Sequence, residues 1–305
     1  MAGSTTTLAR RTMAVLAIFA ASFACAAAQP AAPAFDGKRA LEHVRKIVDI
    51  GPRVAGTPGA QKTRDYVAAQ MKALGLTVVE QAFDQKTPLG TVRMVNLRVR
   101  LNGDDSKGRL VIAGHYDTKL FKALRFVGAN DAGSSTAFLI EAARVLKDRA
   151  NPMAIELLFL DGEEAVVDWN TNDDNTYGSR YYVEAAKQDG SLSSIRALIL
   201  VDMIGDRDLR IMRESNSTRW LTDIVWAAAK SLKRPEFVDE ETTIEDDHLP
   251  FLRAGVPAVD IIDLDYPAWH TVGDTFDKLS ADSLQAVGDV VIAALPAIEK
   301  RLLSQ

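Results

Sequence analysis

Two adjacent carboxylates, Glu163 and Glu164, follow the run Phe159-Leu160-Asp161-Gly162. The segment leading to them, 155–160, is continuously apolar apart from Glu156 and reads as a buried strand. Neighbouring side chains on a strand or turn point to different sides. One carboxylate can then hold a metal while the other moves a proton, the division of labour that metal-assisted acyl chemistry needs. Other polar candidates recur where apolar strands end: His115 and Asp117 after 109–113, Asp202 at the end of 197–202, and His270 in the loop after 257–262. Asp131 falls in the loop beyond His115. Two of the chain's four histidines belong to this set. Imidazole and carboxylate ligands without cysteine suit zinc, or else manganese or cobalt. His115, Asp131, Glu164, Asp202 and His270 together would hold two metals with Asp131 bridging. The smaller set of Asp131, Glu164 and His270 would hold one and leave a position open. Taken singly, each residue has a plainer reading. His115 alone is more often a structural histidine, Glu-Glu a solvated turn, and His270 beside Trp269 a packed pair. Their recurrence at strand ends is what unites them.

The elements that must position these residues follow from periodicity and punctuation. Asp36 can cap a helix over 36–50, and Thr57-Pro58 opens a second that stops at Gly75. Stretches 76–83 and 92–101 alternate as strands. Ser134 is expected to cap a helix over 135–146, and a polar insertion, 168–176, precedes a helix over 177–186. Residues 209–212 are expected to pair beside strand 197–202, and 216–232 to form an amphipathic helix. A short helix over 249–254 ends at Gly255, and Ser280 caps a last helix reaching about 302. Helices alternating with short apolar strands predict an α/β fold. Its central sheet is mixed and mostly parallel, with helices on both faces and antiparallel pairs at one edge. Sites in such sheets form at the carboxyl ends of strands. The acidic runs 173–174 and 239–241 read as solvated surface, and Arg53 as structural.

Residues 1–28 resemble an export signal: Arg10 and Arg11, an apolar run over 13–24, then Ala26-Ala27-Ala28 before Gln29. Export to the periplasm or the exterior is expected. Lipid anchoring through Cys25 and twin-arginine export are the competing readings. Residues 29–35, rich in Ala and Pro, read as a disordered lead-in, and 36–305 as one catalytic domain. Cys25 is the only cysteine, so disulfides and cysteine zinc sites are excluded from the mature chain. Loss of the signal would move the formal charge from −5 to −7, because two arginines go with it. An acidic chain without basic runs argues against nucleic acid or an anionic membrane as partner. A monomer is expected.

At this point the residues carry a family likeness. Gly114-His115-Tyr116-Asp117, Asn130-Asp131, Asp161-Gly162-Glu163-Glu164, Val201-Asp202-Met203-Ile204-Gly205 and His270-Thr271 resemble the zinc-dependent M28 aminopeptidase family. Within it the chain is most similar to the glutaminyl cyclases. That closer likeness rests on Gln85 to Gly90, Phe126-Val127-Gly128-Ala129, Trp169, Tyr177-Gly178-Ser179-Arg180, Glu245 to Pro257 and Trp269-His270-Thr271. The resemblance implies one zinc held by Asp131, Glu164 and His270, with Glu163 as general acid/base. It implies a carboxylate network of Asp202 and Asp246 with Glu163, a pocket lined by Trp169 and Trp269, and peptide N-termini as substrates. The sequence also departs from it. Ala132 stands where animal cyclases usually carry serine, which is closer to the aminopeptidase pattern, and the second-metal residues His115 and Asp202 are both present.

Overall fold

The computed structural model describes residues 1–4, 33–170 and 173–304. Most of the expected export signal and residues 29–32 of the expected lead-in lie outside the described residues. Phe35, at the end of that lead-in, is buried and packs on Phe138 at 5.3 Å between ring centroids.

The sheet begins with a hairpin. β1 (Val78–Thr87) and β2 (Gly90–Leu101) pair antiparallel from Val78↔Val99 to Thr87↔Gly90, and β2 pairs antiparallel with β4 (Ala154–Leu160). β3 (Arg109–His115), β5 (Ile195–Asp202) and β8 (Ala258–Ile262) continue it in the order β1-β2-β4-β3-β5-β8, with every pair from β4 onward parallel. The four parallel strands are buried along nearly their whole length, as strands covered on both faces must be. Successive residues serve opposite faces. Leu110, Ile112, Leu157, Ile199 and Ile261 join one apolar cluster, whereas Val111, Ala113, Leu158, Leu160 and Leu200 join another. The first is covered by α1 (Gly37–Ile50), α2 (Pro58–Ala73), α3 (Gly133–Leu146), α5 (Arg219–Ser231) and α7 (Ala281–Leu303). The second is covered by α4 (Tyr177–Gln188) and α6 (His248–Arg253). The expected mixed, mostly parallel α/β fold is what the chain forms. α7 is the one helix among the described residues long and apolar enough to cross a membrane, but it supplies Val287, Val290, Val291, Leu295 and Ile298 to the core.

Three expected caps can be compared with the structure. Asp36 accepts from the N–H groups of Lys38 and Arg39, and Ser280 from that of Asp282, as the sequence predicts. Ser134 does not cap α3. The helix starts two residues earlier than expected, after Ala132, and the Ser134 hydroxyl donates to Asn130 O and accepts from Ile204 N–H. Residues 209–212 do not pair beside β5 either. The strand there, β6 (Ile211–Glu214), pairs in parallel with β7 (Phe237–Thr242) in a separate two-stranded sheet. β7 contains the acidic run 239–241. Its Phe237 is buried and the carboxylates are exposed, so solvation and a strand coexist.

Candidate active site

β3, between β4 and β5, is where the chain reverses the direction in which it adds strands. The ends of these strands open a crevice. His115 is the last residue of β3, Asp202 the last of β5, and Glu163–Glu164 follow β4 after a turn at Gly162. Gly162 has φ +70°, and a Cβ there would stand 2.6 Å from Met94 Sδ, so glycine is required. Asp117 holds the turn by accepting from the N–H groups of Glu163 at 3.1 Å and Glu164 at 3.3 Å. Asp161 is structural, accepting from Val95 N–H at 2.8 Å beside Arg64. Arg53 is structural too: it is fully buried and donates to the carbonyls of Tyr116, Val127 and Gly128, tying down the loop that ends in Asp131.

Asp131 is fixed by Asp274, whose two carboxylate oxygens accept from the N–H groups of Asn130 and Asp131 at 2.8 and 3.1 Å. The Asp131–Ala132 peptide is cis. His270 Nε2 lies 3.3 Å from Asp131 and 3.2 Å from Glu164. His115 Nε2 lies 3.1 Å from Asp202 and 3.3 Å from Asp131, and its Nδ1 is 3.4 Å from Asp117. The ring of His270 is held edge-on by Phe121 and Phe126 and stacks on Trp269 at 4.3 Å.

These groups surround a cavity of about 530 Å³. Asp131, Glu163, Glu164, Asp202, Asp246 and His270 line it together with Trp169 and Trp269. Trp169 donates to Glu245 at 3.3 Å, and Trp269 is 42% exposed, which places it at the rim. His115 is buried and does not line the cavity.

So many carboxylates in one buried place strain their ionisation. Burial raises the proton affinity of Glu163 well above the usual carboxylate range. Glu164, Asp246 and Asp247 add to this, and His115 partly offsets it. Burial and Asp202 push Asp246 up to about 7. Burial opposes charge on His270, but its bonds to Asp131 and Glu164 push it up to about 9. A divalent cation would relieve this crowding, and the donors fit one. One oxygen each of Asp131 and Glu164 and one nitrogen of His270 lie within 4.8 Å of one another. His115, Asp131 and Asp202 form a second such group, with Asp131 shared between the two.

Sequence reasoning missed several neighbours. Lys119 stands 3.5 Å from Glu164, and Asp274, three residues after Thr271, accepts from the N–H groups of Asn130 and Asp131. His248, Glu214 and Asp260 form a buried group whose signal was the His248 inside the quoted run Glu245 to Pro257.

Residues 96–295 match peptidase family M28. The chain is 31% identical over 283 residues to a glutaminyl-peptide cyclotransferase of Bothrops jararaca, covering 79% of this chain and 76% of that one. Among solved structures it resembles a glutaminyl cyclase of an Acidobacteriales bacterium, with a TM-score of 0.85 and 39% identity over 90% of this chain and 99% of the other. It also resembles a leucine aminopeptidase precursor of Bacteroides thetaiotaomicron, with a TM-score of 0.79 and 29% identity over 87% and 98% of the two chains.

Proposed function

Since this chain belongs to peptidase family M28, we propose that it is a zinc-dependent glutaminyl-peptide cyclotransferase, converting an N-terminal glutamine into pyroglutamate with release of ammonia. The observation that carries this reading is the likeness to a glutaminyl cyclase at 39% identity across 90% of the chain. The cavity supports it, with three metal donors, a neighbouring carboxylate and two tryptophans about one space.

Asp131, Glu164 and His270 would hold the zinc, which supplies a Lewis acid for the γ-carboxamide carbonyl. Trp169 and Trp269 flank the glutamine side chain, while Ile244, Ile262 and Leu264 keep water from the amide. Ring closure is intramolecular, so holding the α-amine against the amide carbon does much of the work. Glu163 takes a proton from that amine as the C–N bond forms and gives it to the departing ammonia. Asp202 and Asp246 complete the carboxylate network around Glu163.

The test is the mass of the products when zinc-loaded protein meets a peptide beginning with glutamine. Loss of ammonia alone, faster than the spontaneous reaction and blocked by a chelator, supports the cyclotransferase. Release of a free N-terminal residue overturns it in favour of an aminopeptidase. Two observations favour that second reading: the complete second donor group of His115, Asp131 and Asp202, and the resemblance to a leucine aminopeptidase precursor. There Glu163 would deprotonate an attacking water, and two ions would bind. Asp202→Ala distinguishes them, since loss of a second metal equivalent goes with the peptidase. Residues 1–28 we assign to export, to the periplasm or the exterior. A mature N-terminus at Gln29 would bear this out, whereas a lipid-modified Cys25 would replace it with anchoring.

A further inference from the structure

Behind the cavity lies another set of buried ionisable side chains. His248 opens α6, Glu214 ends β6 and Asp260 sits in β8. All three are buried, His248 and Asp260 without any exposure. His248 Nε2 is 3.2 Å from Glu214, and its Nδ1 is 3.5 Å from Asp260. Glu214 also accepts from the N–H groups of Asn216, Ser217 and Ile244, from the Asn216 amide and from the Ser217 hydroxyl. A carboxylate so supplied with donors is ionised and only accepts, so the ring nitrogen facing it carries hydrogen. Burial raises its pKa, but the bond from His248 and the backbone N–H groups bring it down to about 2.

The other ring nitrogen faces Asp260 at 3.5 Å without a hydrogen bond between them, and neither oxygen of Asp260 has a hydrogen-bond partner. An ionised carboxylate buried without donors is strongly disfavoured. A neutral carboxylic acid avoids the cost of a buried charge. Burial and the charges of Asp246 and Asp202 raise the proton affinity of Asp260 far above the ordinary range, in the same direction. Asp246 is the next group along. One of its oxygens lies within 4.8 Å of both His248 and Asp260, and Asp246 lines the cavity.

We propose that His248 is a positioning residue for the active site: wedged between Glu214 at 3.2 Å on one side and the Asp260 carboxyl group at 3.5 Å on the other, it keeps Asp260 fixed and uncharged beside Asp246. Asp246 then meets no second negative charge from behind and is free to serve the cavity as a carboxylate. The inference uses the cyclotransferase reading for its assay, and no step of that reaction passes through His248.

The test compares zinc-loaded full-length protein with His248→Ala, Asp260→Ala and Asp260→Asn, reading kcat, KM, zinc content and melting temperature on a glutamine-initiated peptide. His248→Ala and Asp260→Ala are expected to lower kcat by about 10- to 100-fold, the usual loss for partners one step removed from the reacting groups. KM and zinc content should hold. Asp260→Asn is neutral and of nearly the same size and shape, so its kcat should stay near that of the wild type. If Asp260→Asn is as impaired as Asp260→Ala, an ionised Asp260 is required and the inference fails. It fails equally if both alanine variants keep full kcat, or if His248→Ala loses a metal equivalent, which would make the cluster a cation site. The Asp260 pair decides the matter even where His248→Ala does not fold. A wild type that releases residues instead of ammonia sinks only the cyclotransferase reading, and the same variants are then ranked on that activity.

Discussion

His270 and His248 each stand between two buried carboxylates at 3.2–3.5 Å, yet the two arrangements differ in which nitrogen is used. His270 offers Nε2 to both Asp131 and Glu164, so the two carboxylates and the ring converge on one point at the cavity wall. His115 does the same with Nε2 toward Asp131 and Asp202, and Asp117 stands 3.4 Å from its other nitrogen. His248 uses opposite sides of its ring, Nε2 toward Glu214 and Nδ1 toward Asp260, so its carboxylates diverge. Opposed carboxylates make His248 a strut between β6 and β8, although one atom each of Asp246, His248 and Asp260 also lie within 4.8 Å of one another, as the donors around His270 and His115 do. Residue types and spacings nearly match between the two, so composition alone does not separate a metal centre from a brace.

The comparison can be broken or sharpened by substitution. The largest expected effect is at Glu163, between the two regions. Glu163→Gln should lower kcat by on the order of 10² to 10⁴ while metal content is unchanged, because general acid/base transfer is worth about that much. Near-normal turnover would remove Glu163 from its role. Next, His270→Ala should cost the protein the metal that we propose it holds with Asp131 and Glu164, measured by elemental analysis of dialysed protein. Equal metal loss in His270→Ala and His248→Ala would erase the distinction drawn above.

Glu214→Ala acts on the strut. It leaves His248 and several N–H groups without their acceptor, a loss of about 3–5 kcal/mol by analogy with broken buried ion pairs. It should appear as a lowered melting temperature with metal content intact. Acid should probe the same group. The folded-state pKa of Glu214 is depressed, to about 2 from 4.5, so its contribution is complete above 4.5 and is lost as pH falls toward 2. Glu214→Gln should flatten that part of the melting-temperature profile, and an unchanged slope would argue against it. Smallest is Asp36→Ala, remote from both regions. Losing the cap of α1 should cost about 1 kcal/mol and alter neither metal nor turnover.

Much of the active site was legible because its residues sit where periodicity places strand ends. Apolar runs at 109–113, 155–160 and 197–202 located His115, Glu163–Glu164 and Asp202. The strut was not legible in the same way. Glu214 follows an expected pairing with β5 that the chain does not make, and Asp260 lies within a run of Val and Ile where its carboxyl group gives no periodic signal. Ser134 was misread because a serine two residues into a helix can bond the wall behind it as readily as the helix end. Asp274 and Lys119 act through single contacts across the fold, which no local pattern encodes.

The pairing of Asp274 with Asp131 spans 143 positions, and that of His270 with Glu164 spans 106. Contacts closing such long stretches form only after most of the chain has lost its freedom. The donor triad is therefore expected to assemble late in folding, once the last part of the chain has docked. Interactions made after the rate-limiting barrier slow the way out and not the way in. Added zinc should lengthen the unfolding half-life and leave the refolding rate unaltered, so the ion would act as a latch and not as a nucleus.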